Sequence, residues 1–114
     1  MIDEITYEPL LKDIVEKINI ARINASRAVN YSAIQLNYEI GELIVNRQEQ
    51  YGWGKSIVEK LSKDLKSIFG GMDGYSVQNL WLMRQFYLAY KENKELLELA
   101  IQIPWSQNML IIQR

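Results

Sequence analysis

Apolar residues recur at three- and four-residue intervals through most of this chain, and that spacing is the strongest constraint on its fold. Leu11, Ile14, Val15, Ile18, Ala21, Ala25 and Val29 mark one such stripe. Residues placed every ~100° around an axis at these intervals share one face of an α-helix, whereas a half-buried strand would alternate. No stretch alternates convincingly, so the chain is expected to be all-α. The first helix is predicted to begin near Glu8-Pro9, because proline is tolerated in a first turn. Ile20 and Ile23 lie off the stripe, so the later half of this helix is expected to be covered on two sides. Asn30 and Ser32 are plausible caps that divide it from a second helix, in which Ala33, Leu36, Ile40, Leu43, Ile44 and Arg47 form the next stripe, to about Gln50. Gly41 sits inside that stripe at a cost of ~1 kcal/mol relative to alanine, and a close helix contact would explain its presence.

Two glycine-rich breaks punctuate the rest. In YGWG (51–54), Gly52 can close a helix in the left-handed conformation, and Gly54 or Ser56 can open the next. Ile57, Val58, Leu61, Leu65, Ile68 and Phe69 then form the apolar face of a third helix, which ends at FGGMDG (69–74). Ser76 is the expected cap of a fourth helix, with Leu80, Met83, Phe86, Tyr87 and Tyr90 on its buried side and Gln78, Trp81, Gln85, Leu88 and Glu92 opposite. Residues 91–103 read as a charged connection, helical around Glu95–Ala100, before Pro104 and a last segment opening at Trp105-Ser106. The expected architecture is a single domain over residues 1–114, a compact bundle of four to five helices with a helix-turn-helix-like pair, cut from a longer protein.

The sequence excludes several kinds of chemistry. It contains neither histidine nor cysteine, which removes disulfides, thiol nucleophiles, ordinary zinc sites and histidine acid–base catalysis. The glycines at 70, 71 and 74 lack the lysine and hydroxyl residue of a phosphate-binding loop. Glu92-Asn93-Lys94 matches half of a metal-dependent nuclease site, but no strand precedes it to bring a second acid alongside. No catalytic residue, metal site, cofactor or small-molecule substrate is therefore expected. No apolar run is long enough to span a membrane, and the acidic N-terminus is not a signal peptide, so a cytoplasmic protein with no membrane contact is expected.

The net charge is −1, which rules out a globally basic protein, although residues 21–70 carry a surplus of two positive charges. Lys55, Lys60, Lys63 and Lys66, with Arg47 upstream, are candidates for phosphate contact, which would position a nucleic acid without reading it. Glu59 and Asp64 stand at pairing distance from Lys63 and Lys60 and would neutralise part of the patch. On the fourth helix, Gln78 and Asn79 are suited to base edges and Arg84 to a phosphate. Trp81 and Leu88, seven residues apart, form an apolar strip where a groove-reading helix would be polar. They are expected to be buried beneath the first helix or in a protein interface.

The order EIGELIVNRQ, WG-x-x-IVEKLSKDLKSIF, GYSVQNLWLMRQFY and IPWS resembles the N-terminal domain of the YhcG-like family of bacterial proteins, over roughly residues 8–110. Its markers here are Ile40-Gly41, Trp53-Gly54, Leu61-Ser62, Asp64-Leu65, Gly74-Tyr75-Ser76, Asn79-Leu80, Met83-Arg84, Phe86-Tyr87 and Pro104-Trp105-Ser106. In that family the domain precedes a nuclease domain of the PD-(D/E)XK type, which is absent from these residues. Gln107 stands where the family commonly has histidine, so no role for an imidazole carries over. The resemblance implies a helical, non-catalytic accessory domain that binds DNA or directs the nuclease. The alternative is a protein-interaction or dimerisation module, with another protein or a second copy of the chain as partner.

Overall fold

The computed structural model describes residues 4–25, 31–70 and 74–113, and every regular element among them is a helix. In chain order these are α1 (Glu4–Ala25), α2 (Tyr31–Tyr51), α3 (Ser56–Phe69), α4 (Val77–Tyr90), α5 (Lys94–Ala100) and α6 (Trp105–Ile112). The all-α expectation holds, but six helices stand where four to five were expected. The short α5, of seven residues, is the helix expected around Glu95–Ala100, and the added element is α6, of eight residues, on the segment that opens at Trp105. At about two turns each, neither is long enough to display a periodic stripe.

α1 starts a full turn earlier than expected, which leaves Pro9 inside the helix rather than in its first turn. An interior proline forfeits a backbone hydrogen bond and crowds the preceding turn, at ~3 kcal/mol. The early turn is anchored from outside the helix. Tyr7 is fully buried, its hydroxyl donates to Asp64 Oδ2 at 2.5 Å, and Lys60 Nζ lies 4.7 Å from its ring centroid. Further along, Ile14 and Ile18 are buried as the stripe predicts, Leu11 and Val15 are only partly buried, and Leu10, which the stripe leaves out, is fully buried. Ile20 is 59% exposed and is not covered from a second side. The cap expected of Asn30 and the packing expected of Val29 lie outside the described residues, as do the side chains of Ile23 and Ala25. Ser32 falls within α2 rather than at its cap.

α2 is the central helix, packed most extensively against α4 and also against α1. Gly41 explains how closely α2 and α4 approach. A Cβ built there would lie 2.7 Å from the Met83 carbonyl carbon, and closer still to its oxygen. α2 ends at Tyr51, and Gly52 follows with φ of 67°, the left-handed closure expected. Ile57, Val58, Leu61 and Leu65 of α3 then join Ile14, Ile18, Ile40, Ile44, Leu80 and Met83 in the main core. Ile68, placed on that face by its spacing, is instead half exposed. It is the penultimate residue of α3, and the core contact at this end is made by the next residue, Phe69.

The α3–α4 junction is fixed by polar groups. Ser62 Oγ donates to the Tyr75 carbonyl at 2.7 Å, and Ser76 Oγ accepts from the Asn79 amide at 3.1 Å, making Ser76 the cap of α4 as expected. A second core cluster joins Ile34, Phe86, Ala100 and Ile101, and Trp105 packs against both clusters. α6 is tied back by Asn108, whose Nδ2 donates to the carbonyls of Ala100, Ile103 and Pro104. No helix among the described residues is long and apolar enough to cross a membrane.

Candidate nucleic-acid interface

The α3 lysines divide into two kinds. Lys60 turns inward over Tyr7 and lies 3.4 Å from Glu4 and 3.7 Å from Asp64, so its charge is largely committed within the chain. Lys63 and Lys66 are exposed, and among the described residues neither has an ion-pair partner; the expected Glu59–Lys63 pair does not form. Arg47 meets Asp13 at 2.7 Å and links α2 to α1. Lys55 is exposed at the last position before α3 and makes no side-chain cap.

The α4 residues are also separated by their surroundings. Gln78 is exposed, but both ends of the Asn79 amide are engaged. Its Nδ2 donates to the Gly74 carbonyl at 2.6 Å, and its Oδ1 accepts from Trp105 Nε1 at 2.9 Å. Asn79 thus joins the α3–α4 turn to α6. Gln78 and Asn79 line a depression of about 410 Å³ with Ser76, Leu82, Trp105 and Met109. Trp81 is half buried at the edge of the main core, and Leu88 is 37% exposed, so the expected burial of the strip is only partly realised.

Arg84 and Trp81 belong to a different place. Together with Gln48, Glu49, Trp53, Gly54 and Lys55 they line a cleft of about 330 Å³ where the end of α2, the 52–55 turn and the middle of α4 meet. Arg84 Nε donates to Gln48 Oε1 at 2.6 Å, while Gln48 Nε2 donates to the Gly54 carbonyl at 3.2 Å. The Arg84 guanidinium carbon lies 5.2 Å from the Trp81 ring centroid. The structure therefore brings Lys55, Trp81 and Arg84 together and leaves Gln78 and Asn79 elsewhere. Sequence spacing does not single out Gln48 or Trp53 as partners of that arginine. The available signal is that Gln48 continues the Ile40, Ile44 series, a polar residue at an inward position, and it is only 8% exposed. Arg47, assigned to that stripe from spacing, instead pairs with α1.

Four tyrosines are shifted by their surroundings. Burial, reinforced by the hydrogen bond to Asp64 and the nearby carboxylates, pushes the Tyr7 hydroxyl well above the ordinary tyrosine range. Burial also raises Tyr75, Tyr38 and Tyr87, the last two with help from Glu42 and Glu92. All four stay neutral at physiological pH and serve as packing groups with polar tips. Among the described residues no cluster of three or more carboxylates is placed to hold a metal ion. Glu92 and Asn93 of the acid–x–lysine triplet lie in the α4–α5 turn, where Asn93 Oδ1 caps α5 by accepting from the Leu96 amide at 3.1 Å.

Comparison with curated proteins and with solved structures gives no match. The family model described as the DUF1016 N-terminal domain matches residues 13–114, which contain every landmark from Ile40-Gly41 to Pro104-Trp105-Ser106. With nearly the whole chain covered, the protein belongs to the DUF1016 N-terminal domain family, the YhcG-like family that its landmarks resemble.

Proposed function

We propose that this domain is a non-catalytic nucleic-acid-binding module that targets a nuclease-like protein in the bacterial cytoplasm to DNA. The observation that carries the reading is the contrast among its bases. Lys17, Arg47 and Lys60 are held in ion pairs within the chain, whereas Lys63 and Lys66 stand exposed one turn apart on α3 with no ion-pair partner among the described residues. Lysines in that arrangement suit phosphate contact, which gives affinity and orientation rather than sequence recognition. The test is a titration of DNA with the chain across a range of salt concentrations. The Lys63→Ala, Lys66→Ala double variant is expected to lower the slope of log affinity against log salt by about two. An unchanged slope removes α3 from the interface. Lys60 is unsuited to this test, because replacing it also disturbs Tyr7 and Asp64.

A second reading, a protein-interaction or dimerisation module, is favoured by the apolar residues that the last two helices leave outside. Leu96 and Leu99 on α5, and Leu110 and Ile111 on α6, are 49%, 62%, 70% and 51% exposed. A molecular mass that rises with concentration, and falls back in a Leu99→Ser, Leu110→Ser variant, would favour it.

A further inference from the structure

Arg84 is held more firmly than packing alone requires. Gln48 is buried and fixed by the Gly54 carbonyl, and it fixes Arg84 in turn by accepting its Nε–H. One face of the guanidinium is taken up by Trp81. Among the described residues no acceptor meets its terminal Nη groups, so a planar donor edge is set in one orientation and left unused. Such an edge matches the oxygens of a phosphate, and a pre-set guanidinium loses less side-chain freedom on binding than a loose one. Lys55 lines the same cleft and has no ion-pair partner among the described residues.

The size and the walls narrow the ligand. At about 330 Å³ and open to solvent, the cleft has room for one compact group to rest on it. Trp53 lines it together with Trp81, and an aromatic wall beside a cationic edge is the combination that holds a base next to its phosphate. Glu49 is the opposing element, a carboxylate on the same cleft that disfavours a second negative charge.

We propose that the Gln48–Arg84–Lys55 cleft binds the phosphate of a nucleotide unit, with Arg84 and Lys55 holding the phosphate oxygens and Trp53 forming the wall for an unpaired base. The proposal rests on the nucleic-acid reading for the source of that phosphate, but on different residues from the α3 lysines. It adds a preference for unpaired strands, since a base inside a duplex cannot reach the tryptophan wall.

The test titrates the chain with a short single-stranded oligonucleotide, the corresponding duplex and a nucleoside monophosphate. Tryptophan fluorescence and the Arg84 Nε–H and Trp indole NMR signals report on the cleft, and thermal melting checks the fold of each variant. The single strand is expected to bind more tightly than the duplex and to shift the cleft signals. Arg84→Gln should weaken single-strand binding about tenfold, the loss of one charge-assisted contact, and lower the salt slope by about one. Arg84→Lys keeps the charge but not the planar edge, so it should recover the slope and not the affinity. Lys55→Ala, at an exposed turn, should lower the slope by about one without altering the melting point. Glu49→Gln should bind more tightly than the parent chain.

The outcomes separate the two ideas. Binding that depends on Lys63 and Lys66 but not on Arg84, Lys55 or Glu49 overturns the cleft and keeps the broader reading. A nucleoside monophosphate that shifts the cleft signals, with no oligonucleotide bound, keeps the cleft and overturns the broader reading. Silence of the cleft signals toward every probe overturns the cleft proposal outright.

Discussion

The seam between α2 and α4 and the end of the molecule formed by α5 and α6 are stabilised in different ways. At the seam, shape decides. Gly41 meets the Met83 backbone, Ile40 and Ile44 face Leu80 and Met83 in one core, and Tyr38 sets its ring edge-on to Phe86 and Tyr87. At the other end, hydrogen bonds to backbone groups decide. Asn93 caps α5, Asn108 gathers three carbonyls, and Trp105 donates to Asn79, while three leucines and Ile111 remain outside. The seam places the candidate site, because Gln48 and Arg84 reach each other from these two helices. The α5–α6 end steadies the start of α4 without contributing a side chain to the cleft.

The largest effect is expected where shape is tested directly. Gly41→Ala gains ~1 kcal/mol of helix propensity, and on that basis alone the variant would be more stable. The added methyl, however, points at the Met83 carbonyl, and backbone gives way less readily than a side chain. Overpacking of this kind costs ~1–3 kcal/mol and occasionally more, so with backbone as the obstacle a net loss of about 2 kcal/mol is expected. Denaturant unfolding measures it. A more stable Gly41→Ala protein would mean that the seam is looser than described, and with it the Gln48–Arg84 contact.

Asn108→Ala probes the other end and should cost less, ~1–2 kcal/mol. An unmet buried acceptor costs ~1–3 kcal/mol, but the Ala100 and Pro104 carbonyls keep backbone partners at Ile103 and at Gln107 and Asn108. The Ile103 carbonyl is the main loser. The variant also removes the buried Asn108 Oδ1, which has no hydrogen-bond partner among the described residues, and that removal offsets part of the cost. Hydrogen exchange should show faster opening of α6 with little change in α2. Equal acceleration in both helices would make the two regions one cooperative unit.

This difference also governs what can be read from the sequence. Shape leaves a periodic trace. The α2 and α3 stripes and the close contact at Gly41 follow from spacing and propensity alone. The spacing fails at Ala33 and Ile68, which are exposed, while Ile20 and Leu88 lie outside the stripes and lack the covering expected of them. Hydrogen bonds to carbonyls leave no such trace. α5 and α6 are short and defined by Asn93, Pro104 and Asn108 rather than by a stripe; α5 is legible only as a charged helical stretch, and α6 is the helix that the count leaves out. The early start of α1 is hidden for a related reason: Pro9 argues locally against it, and the Tyr7–Asp64 contact that outweighs the proline spans 57 residues. The cleft is the least legible feature. Its residues come from three separate stretches, and the Gln48 to Arg84 bond spans 36 positions. Arg84 and Lys55 could be named as cations, but not as neighbours.

The smallest expected effect lies where the two regions meet. Ser76 opens α4, its hydroxyl accepting from the Asn79 amide, while the Asn79 side chain runs on to Gly74 and to Trp105 of α6. Ser76→Ala removes one capping acceptor and leaves an amide to find water, typically ~1 kcal/mol. Because the site is exposed, water can reach that amide, and the Asn79–Gly74 bond still holds the turn, so ~1 kcal/mol is an upper value here. The midpoint of urea unfolding should fall with no change in slope, since the surface exposed on unfolding is the same. Hydrogen exchange of α6 should stay at the parent rate, because Asn79 reaches Trp105 through its side chain and not through the amide that Ser76 caps. If α6 opens faster in Ser76→Ala, the cap also positions Asn79. The start of α4 then belongs to the hydrogen-bonded end of the molecule rather than to the close-packed seam.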